Sequence, residues 1–162
     1  MRTIQVILCI LVQTFVFGQE ISVGGMDITW EFSGKDEITF TATAPDDGWV
    51  ALGFNDTDDI VNSNLVMVSV QNDVIISEEF FVMGVGNPKP VYAVGSSTQH
   101  KVMAASEGEE RTTISFSMPT AKTDNKHYSL KKGDSIWLIC AYSMEDEFDH
   151  HSRMRKHVQI TL

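Results

Sequence analysis

The chain has 162 residues, 43% of them hydrophobic and 21% charged, with a formal charge of −10 from 22 acidic and 12 basic side chains. That acidity argues against nucleic acid and anionic membrane as partners, and a well-solvated surface is its plainest meaning. Length and apolar content suffice for one domain with a core of its own.

The chain opens with Arg2 ahead of an apolar run over residues 4–17, broken only by Gln5, Gln13 and Thr14, and reaches Gly18 through Val16-Phe17. This is the pattern of a secretory signal peptide over residues 1–18, with cutting expected near Gly18-Gln19 and a single domain over 19–162. No later stretch approaches the roughly 20 apolar residues that cross a bilayer, so a secreted, extracellular product without a membrane span is expected. Cys9 leaves with the leader. Cys140, inside an apolar run, is expected to be a buried packing thiol.

Period-two alternation then recurs along the chain, and no amphipathic helical pattern of useful length competes with it. Ile28, Trp30 and Phe32 share one face of a predicted strand, as do Ile38, Phe40 and Ala42 of the next. The stretch Asp47-Gly48-Trp49-Val50-Ala51-Leu52-Gly53-Phe54-Asn55 is apolar on both faces, which predicts a doubly buried strand. Trp49, Ala51 and Gly53 point one way, and a glycine there leaves room for a ligand or a neighbouring chain to approach. Asn55-Asp56-Thr57 is an N-glycosylation sequon where a surface loop is expected.

Residues 65–70, 74–76 with 80–82, and 136–142 are more continuously apolar and are expected in the middle of the structure. Asn72-Asp73 between two of these runs suggests a tight hairpin. Ile114, Phe116 and Met118, and then Val158, Ile160 and Leu162, complete the half-buried strands. Short strands separated by Gly, Asn, Asp and Pro turns predict an all-β antiparallel sandwich.

Several of these features stand in one order: Ile28-Thr29-Trp30, the Asp47 to Asn55 block, Asn62-Ser63-Asn64-Leu65-Val66, and Ile114-Ser115-Phe116-Ser117-Met118-Pro119. Thr123-Asp124, the run from Ile136 to Tyr142, and Phe148-Asp149-His150-His151 follow. The set resembles a DOMON domain, named for the N-terminal region of dopamine beta-monooxygenase, from about Ile21 to Leu162. The resemblance implies an immunoglobulin-like antiparallel β-sandwich that binds haem b or a sugar. It also implies, where haem is held, electron exchange with an oxidoreductase or membrane cytochrome.

The haem-binding branch takes its axial ligands from a methionine just before the strand matching residues 65–70 and a histidine in the loop before the last strand. That pairing of thioether and imidazole suits an electron-transfer iron. The histidine position matches His151, with Arg155 four residues on, whereas the methionine position falls on Ile60 or Val61, which cannot ligate iron. Met67 is an alternative thioether, and Met103 and Met144 are others. The family's arginine at the end of its later strand is Met118 here. His150, His151, Asp149 and His157 also offer nitrogen and oxygen donors to a metal ion.

No nucleophile elbow, phosphate-cradling glycine loop or zinc-protease motif is present, so a non-enzymatic module is expected. Two functions follow. One is a haem b module that carries electrons to an external redox partner, with His151 on the iron. The other holds a sugar or other small ligand without haem, or serves as an extracellular protein-interaction surface. Trp49 and Trp137 are the natural aromatic contacts in that second case.

Overall fold

The computed structural model describes residues 18–108 and 110–162; apart from Gly18, the expected signal peptide lies outside them. Within them run β1 (Gln19–Val23), β2 (Met26–Ser33), β3 (Glu37–Ala44), β4 (Val50–Asn55), β5 (Asn64–Gln71) and β6 (Val74–Val82). Then come β7 (Pro88–Pro90), a 3-10 turn (Val91–Val94), β8 (Lys101–Gly108), β9 (Arg111–Pro119), β10 (Ser135–Tyr142) and β11 (Met154–Thr161). They form two antiparallel sheets, one in the order β1-β2-β3-β9-β8 and the other β11-β10-β4-β5-β6-β7. The sheets pack as a sandwich, as the alternation predicts.

The core between the sheets is built from the alternate residues that the pleat turns inward. Ile28 and Trp30, Ile38 and Phe40, and Ile114 and Phe116 face Leu52 and Phe54, Val66 and Val68, and Leu138 and Cys140. Phe40 joins the layers, its ring 5.1 Å from that of Phe54 and 5.9 Å from that of Phe116. Each such ring contributes about 1.5–3 kcal/mol by leaving water. Cys140 is a free, buried thiol, and burial pushes its pKa up to about 12.

β4 lies inside the six-stranded sheet, between β10 and β5, and all six of its residues are buried. Val50, Leu52 and Phe54 enter the main core. Trp49 and Ala51 join a second cluster with Met67, Phe80 and Ala141 on the outer face, covered by Phe148. The doubly buried strand is therefore real, and its second cover is a loop rather than a sheet.

Asn72 and Asp73 both adopt positive φ, 51° and 64°, and close the expected hairpin, with Gln71 opposite Val74. One expectation for this hairpin fails. Val74, Ile75 and Ile76 are 57%, 44% and 37% exposed instead of central. Pairing explains the difference, because β7 flanks β6 only over Phe80–Val82 and leaves the first half of β6 at an open edge. β1, β7 and β8 carry no strong apolar alternation and escape prediction from sequence. Each is an edge strand, with fewer positions facing the core.

Candidate functional site

The outer face of the six-stranded sheet is hollowed because its central side chains are short. Cross-strand pairing aligns Arg155, Ala141, Ala51, Met67 and Glu78 in one row over β11, β10, β4, β5 and β6. The next row is His157, Ile139, Gly53, Leu65 and Phe80. Two alanines in the middle of taller neighbours leave a depression, and a cavity of about 350 Å³ occupies it. That size is at the small end for small-molecule sites.

Ala51, Leu65, Met67, Ile139 and Ala141 floor the cavity, Ile60, Val82 and Pro88 wall one side, and Trp49 and Phe148 another. Its polar side comes from the loop between β10 and β11, with Asp149, His150, His151 and Ser152, and from Arg155 at the start of β11. Backbone bonds tie this loop to the sheet: Trp49 N donates to Glu145 O at 3.0 Å, and Ser143 N donates to Trp49 O at 3.0 Å. The approach is close enough that a Cβ on Gly48, whose φ is 151°, would lie 2.6 Å from Ser143 O. Glycine is required there both for space and for its backbone angle.

The wall at Ile60 is set by Asn55. Its Nδ2 donates to Asp59 O at 2.6 Å and Val61 O at 3.0 Å, while its Oδ1 accepts from Asp56 N at 2.8 Å and Tyr128 Oη at 3.1 Å. This curls residues 56–61 tightly enough to bring Ile60 against the cavity. The sequon opens onto the expected surface loop, where Asp56 and Thr57 are exposed, but Asn55 itself ends β4 and is 1% exposed. Composition alone marks a sequon; only the fold shows that this amide is used internally.

The sequence-selected residues divide clearly. Trp49, Met67 and His151 line one cavity, together with Ile60, His150 and Arg155. Gly53 does not line it, since the Cδ2 methyl of Leu65 fills the space where its Cβ would stand. Trp137 lies beyond the cavity on the same face, and Met103 and Met144 are exposed elsewhere, the latter against Arg153 Nη1. The proposed metal set is not assembled. His157 Nδ1 pairs with Asp58 at 2.9 Å, and His150 Nδ1 stands 3.7 and 3.9 Å from Glu147 and Glu145 in a fully exposed group.

Among the described residues, no hydrogen bond holds the imidazole of His151; only its backbone oxygen is engaged, accepting from Ser143 Oγ at 3.2 Å. Among the described residues, the indole N–H of Trp49, 4% exposed, has no partner, and Asp146 Oδ1 is likewise buried and unpaired. Burial, with Glu147, Glu145 and Asp47 nearby, raises the pKa of Asp146. An unpaired buried donor in a cavity wall costs about 1–3 kcal/mol unless something in the cavity accepts from it.

A separate polar cluster on the inner face escapes sequence reasoning. Glu79 accepts from Asn64 Nδ2 at 2.8 Å, Gln99 N at 2.7 Å and His100 N at 3.2 Å, and meets His127 Nε2 at 2.7 Å and His100 Nδ1 at 3.2 Å. His127 Nδ1 meets Asp124 Oδ1 at 2.7 Å. Burial alone would raise the pKa of Glu79, but this set of donors holds it well below the carboxylate range. Burial likewise opposes charge on His127, and the two carboxylates overcome it and raise its pKa. Asp124, bonded by Ser96, His127 and Lys126 N against its own desolvation, falls to about 2.

Residues 22–143 match the DOMON domain, and the chain belongs to that family. It is similar in structure to the cytochrome b domain of pyranose dehydrogenase from Coprinopsis cinerea, with a TM-score of 0.65 at 12% identity, covering 84% of this chain and 76% of that one. It is also similar to the cytochrome domain of Myriococcum thermophilum cellobiose dehydrogenase, with a TM-score of 0.63 at 11% identity, covering 90% and 81%. At such identities the likeness is one of fold. No curated protein matches the chain.

The cavity can be tested for haem on its own donors. It offers an imidazole free of internal bonds from the loop, a thioether in an otherwise apolar floor and a guanidinium, donor types that suit a porphyrin iron with carboxylate substituents. Of Ile60 and Val61, at the expected methionine position, Ile60 lines the cavity and brings no donor, and the thioether in the lining is that of Met67.

Proposed function

We propose that this chain is a secreted, non-enzymatic DOMON module that binds haem b in the cavity on the outer face of the six-stranded sheet. His151 and Met67 are the residues that would hold the iron. The observation that carries this reading is the convergence of His151, Met67 and Arg155, far apart in sequence, on one apolar-floored cavity. When bound, such a group supplies one-electron transfer, here to an external redox partner.

The residues of the chain have separable roles. His151 would offer a ring nitrogen to the iron from the loop between β10 and β11. Arg155, in the cavity lining, would pair with a carboxylate of the ligand. Leu65, Ile139 and Phe148 exclude water from its apolar body. Titration with haem is expected to give a Soret band that Met67→Leu shifts and His151→Ala abolishes. An unchanged spectrum for free haem in the presence of protein would end this reading.

A second reading has its own support. Ile60 in the ligand position and the unpaired indole N–H of Trp49 suit a sugar or other small molecule with a hydroxyl or carbonyl acceptor and no iron. Binding of such a ligand would quench Trp49 fluorescence in the absence of haem.

A further inference from the structure

We propose that the open half of β6 pairs with the same segment of a second copy of this chain, joining two six-stranded sheets edge to edge about a twofold axis at Ile75. Four observations combine. Among the described residues, β6 over Val74–Ser77 has β5 on one side and no strand on the other, since β7 begins opposite Phe80. In a hairpin closed at Gln71 and Val74, the main-chain N–H and C=O of Ile75 and Ser77 turn away from β5 and are free to pair.

The segment is also unguarded. Edge strands ordinarily carry charge, proline or a bulge that blocks pairing. In this molecule β11 has Arg155 and Lys156, β7 has Pro88 and Pro90, β8 has Lys101 and a register shift between Val102 and Ala104, and β1 is short and carries Glu20. Val74-Ile75-Ile76-Ser77 has none of these devices and exposes three large apolar side chains. Each of the other edges carries at least one such device, so the least guarded partner this chain offers is the same edge in a second copy.

The register is self-complementary. With the axis at Ile75, Val74 of each copy lies opposite Ile76 of the other on the outer face, Ile75 meets Ile75 on the inner face, and Ser77 lies opposite Asp73. No like charges are placed opposite one another, and the turn residue Asn72 falls opposite Glu78, short of the position where β7 would obstruct it. Because the axis is perpendicular to the sheet, both outer-face cavities open on the same side of one continuous sheet. A contact of this length belongs to the small, reversible class of interface.

Sedimentation equilibrium of the whole secreted chain over a rising concentration series tests this. The mass is expected to climb from one chain toward two, and Ile75→Lys, which sets two cations against each other at the axis, is expected to hold it at one chain with an unchanged melting temperature. A cysteine at the axis gives a second readout. The Cα separation of a directly opposed hydrogen-bonded pair, about 5.5 Å, suits a disulfide. Ile75→Cys should therefore cross-link on mild oxidation, while Val85→Cys, 83% exposed but remote from the edge, should not. A single-chain mass throughout, or equal cross-linking of the two cysteine variants, would overturn the proposal.

Discussion

The two faces of the six-stranded sheet carry histidines beside carboxylates in opposite bonding states. On the inner face, His127 stands 2.7 Å from carboxylate oxygens at both ring nitrogens, and Glu79 uses both of its oxygens on internal partners. On the outer face, His150 is no nearer than 3.7 Å to a carboxylate, and the imidazole of His151 has no partner among the described residues. Burial and strong charge pairing alone would select the inner cluster as the functional one. Its saturation argues otherwise, because a group whose donors and acceptors are all used has nothing left for a ligand, whereas an unsatisfied group in a cavity wall does.

The largest test of this contrast removes the centre of the saturated cluster. Glu79→Ala takes from buried His127 one of its two carboxylate partners and strands the donors of Asn64, Gln99 and His100, and a loss of about 3–5 kcal/mol in urea unfolding is expected. Ligand binding by the protein that remains folded should be unaltered. Asn55→Ala comes next, at about 1–3 kcal/mol, since it strands the carbonyls of Asp59 and Val61. The same burial predicts that mass spectrometry finds Asn55 without a glycan, contrary to what the sequon suggests.

The pH dependence of the inner cluster follows from the signs of its shifts. Glu79 and Asp124 titrate below their ordinary values of 4.5 and 3.8, so their contribution is present above those values and is lost as pH falls through the folded ones. His127 titrates above its ordinary 6.5, so its contribution is complete below 6.5 and is lost as pH rises through the folded value. The stability difference between the native chain and a His127→Asn variant should therefore peak between about pH 4.5 and 6.5, as unfolding midpoints across the range would show. The smallest stability effect belongs to the outer face. His151→Ala, at an exposed position without a hydrogen bond, should change stability by no more than about 0.5 kcal/mol.

The sandwich was legible because inward positions repeat every second residue, and the run from Val50 to Phe54 announced its double burial by lacking polar positions. The convergence of His151 with Met67 was legible only through family resemblance, since no local pattern links a loop histidine to a strand methionine some 80 residues earlier. Glu79 was hidden inside Ser77-Glu78-Glu79-Phe80, where nothing local separates an exposed acid from a buried one. Its burial is decided by Asn64, Gln99, His100 and His127, which converge only in the fold. Gly53 shows the converse. The sequence marked a close approach correctly, and the approaching group is the Leu65 methyl rather than a ligand.

The contrast between a saturated inner cluster and an available outer one rests most directly on His151. Absorption spectra of the native chain and the His151→Ala variant, each titrated with haem under conditions where both melt at the same temperature, compare the outer site with itself at constant fold. A Soret band that appears in the native protein and is lost in the variant is the predicted result. Equal bands in both proteins, or none in either, would contradict the assignment of His151 as the ligand of this cavity.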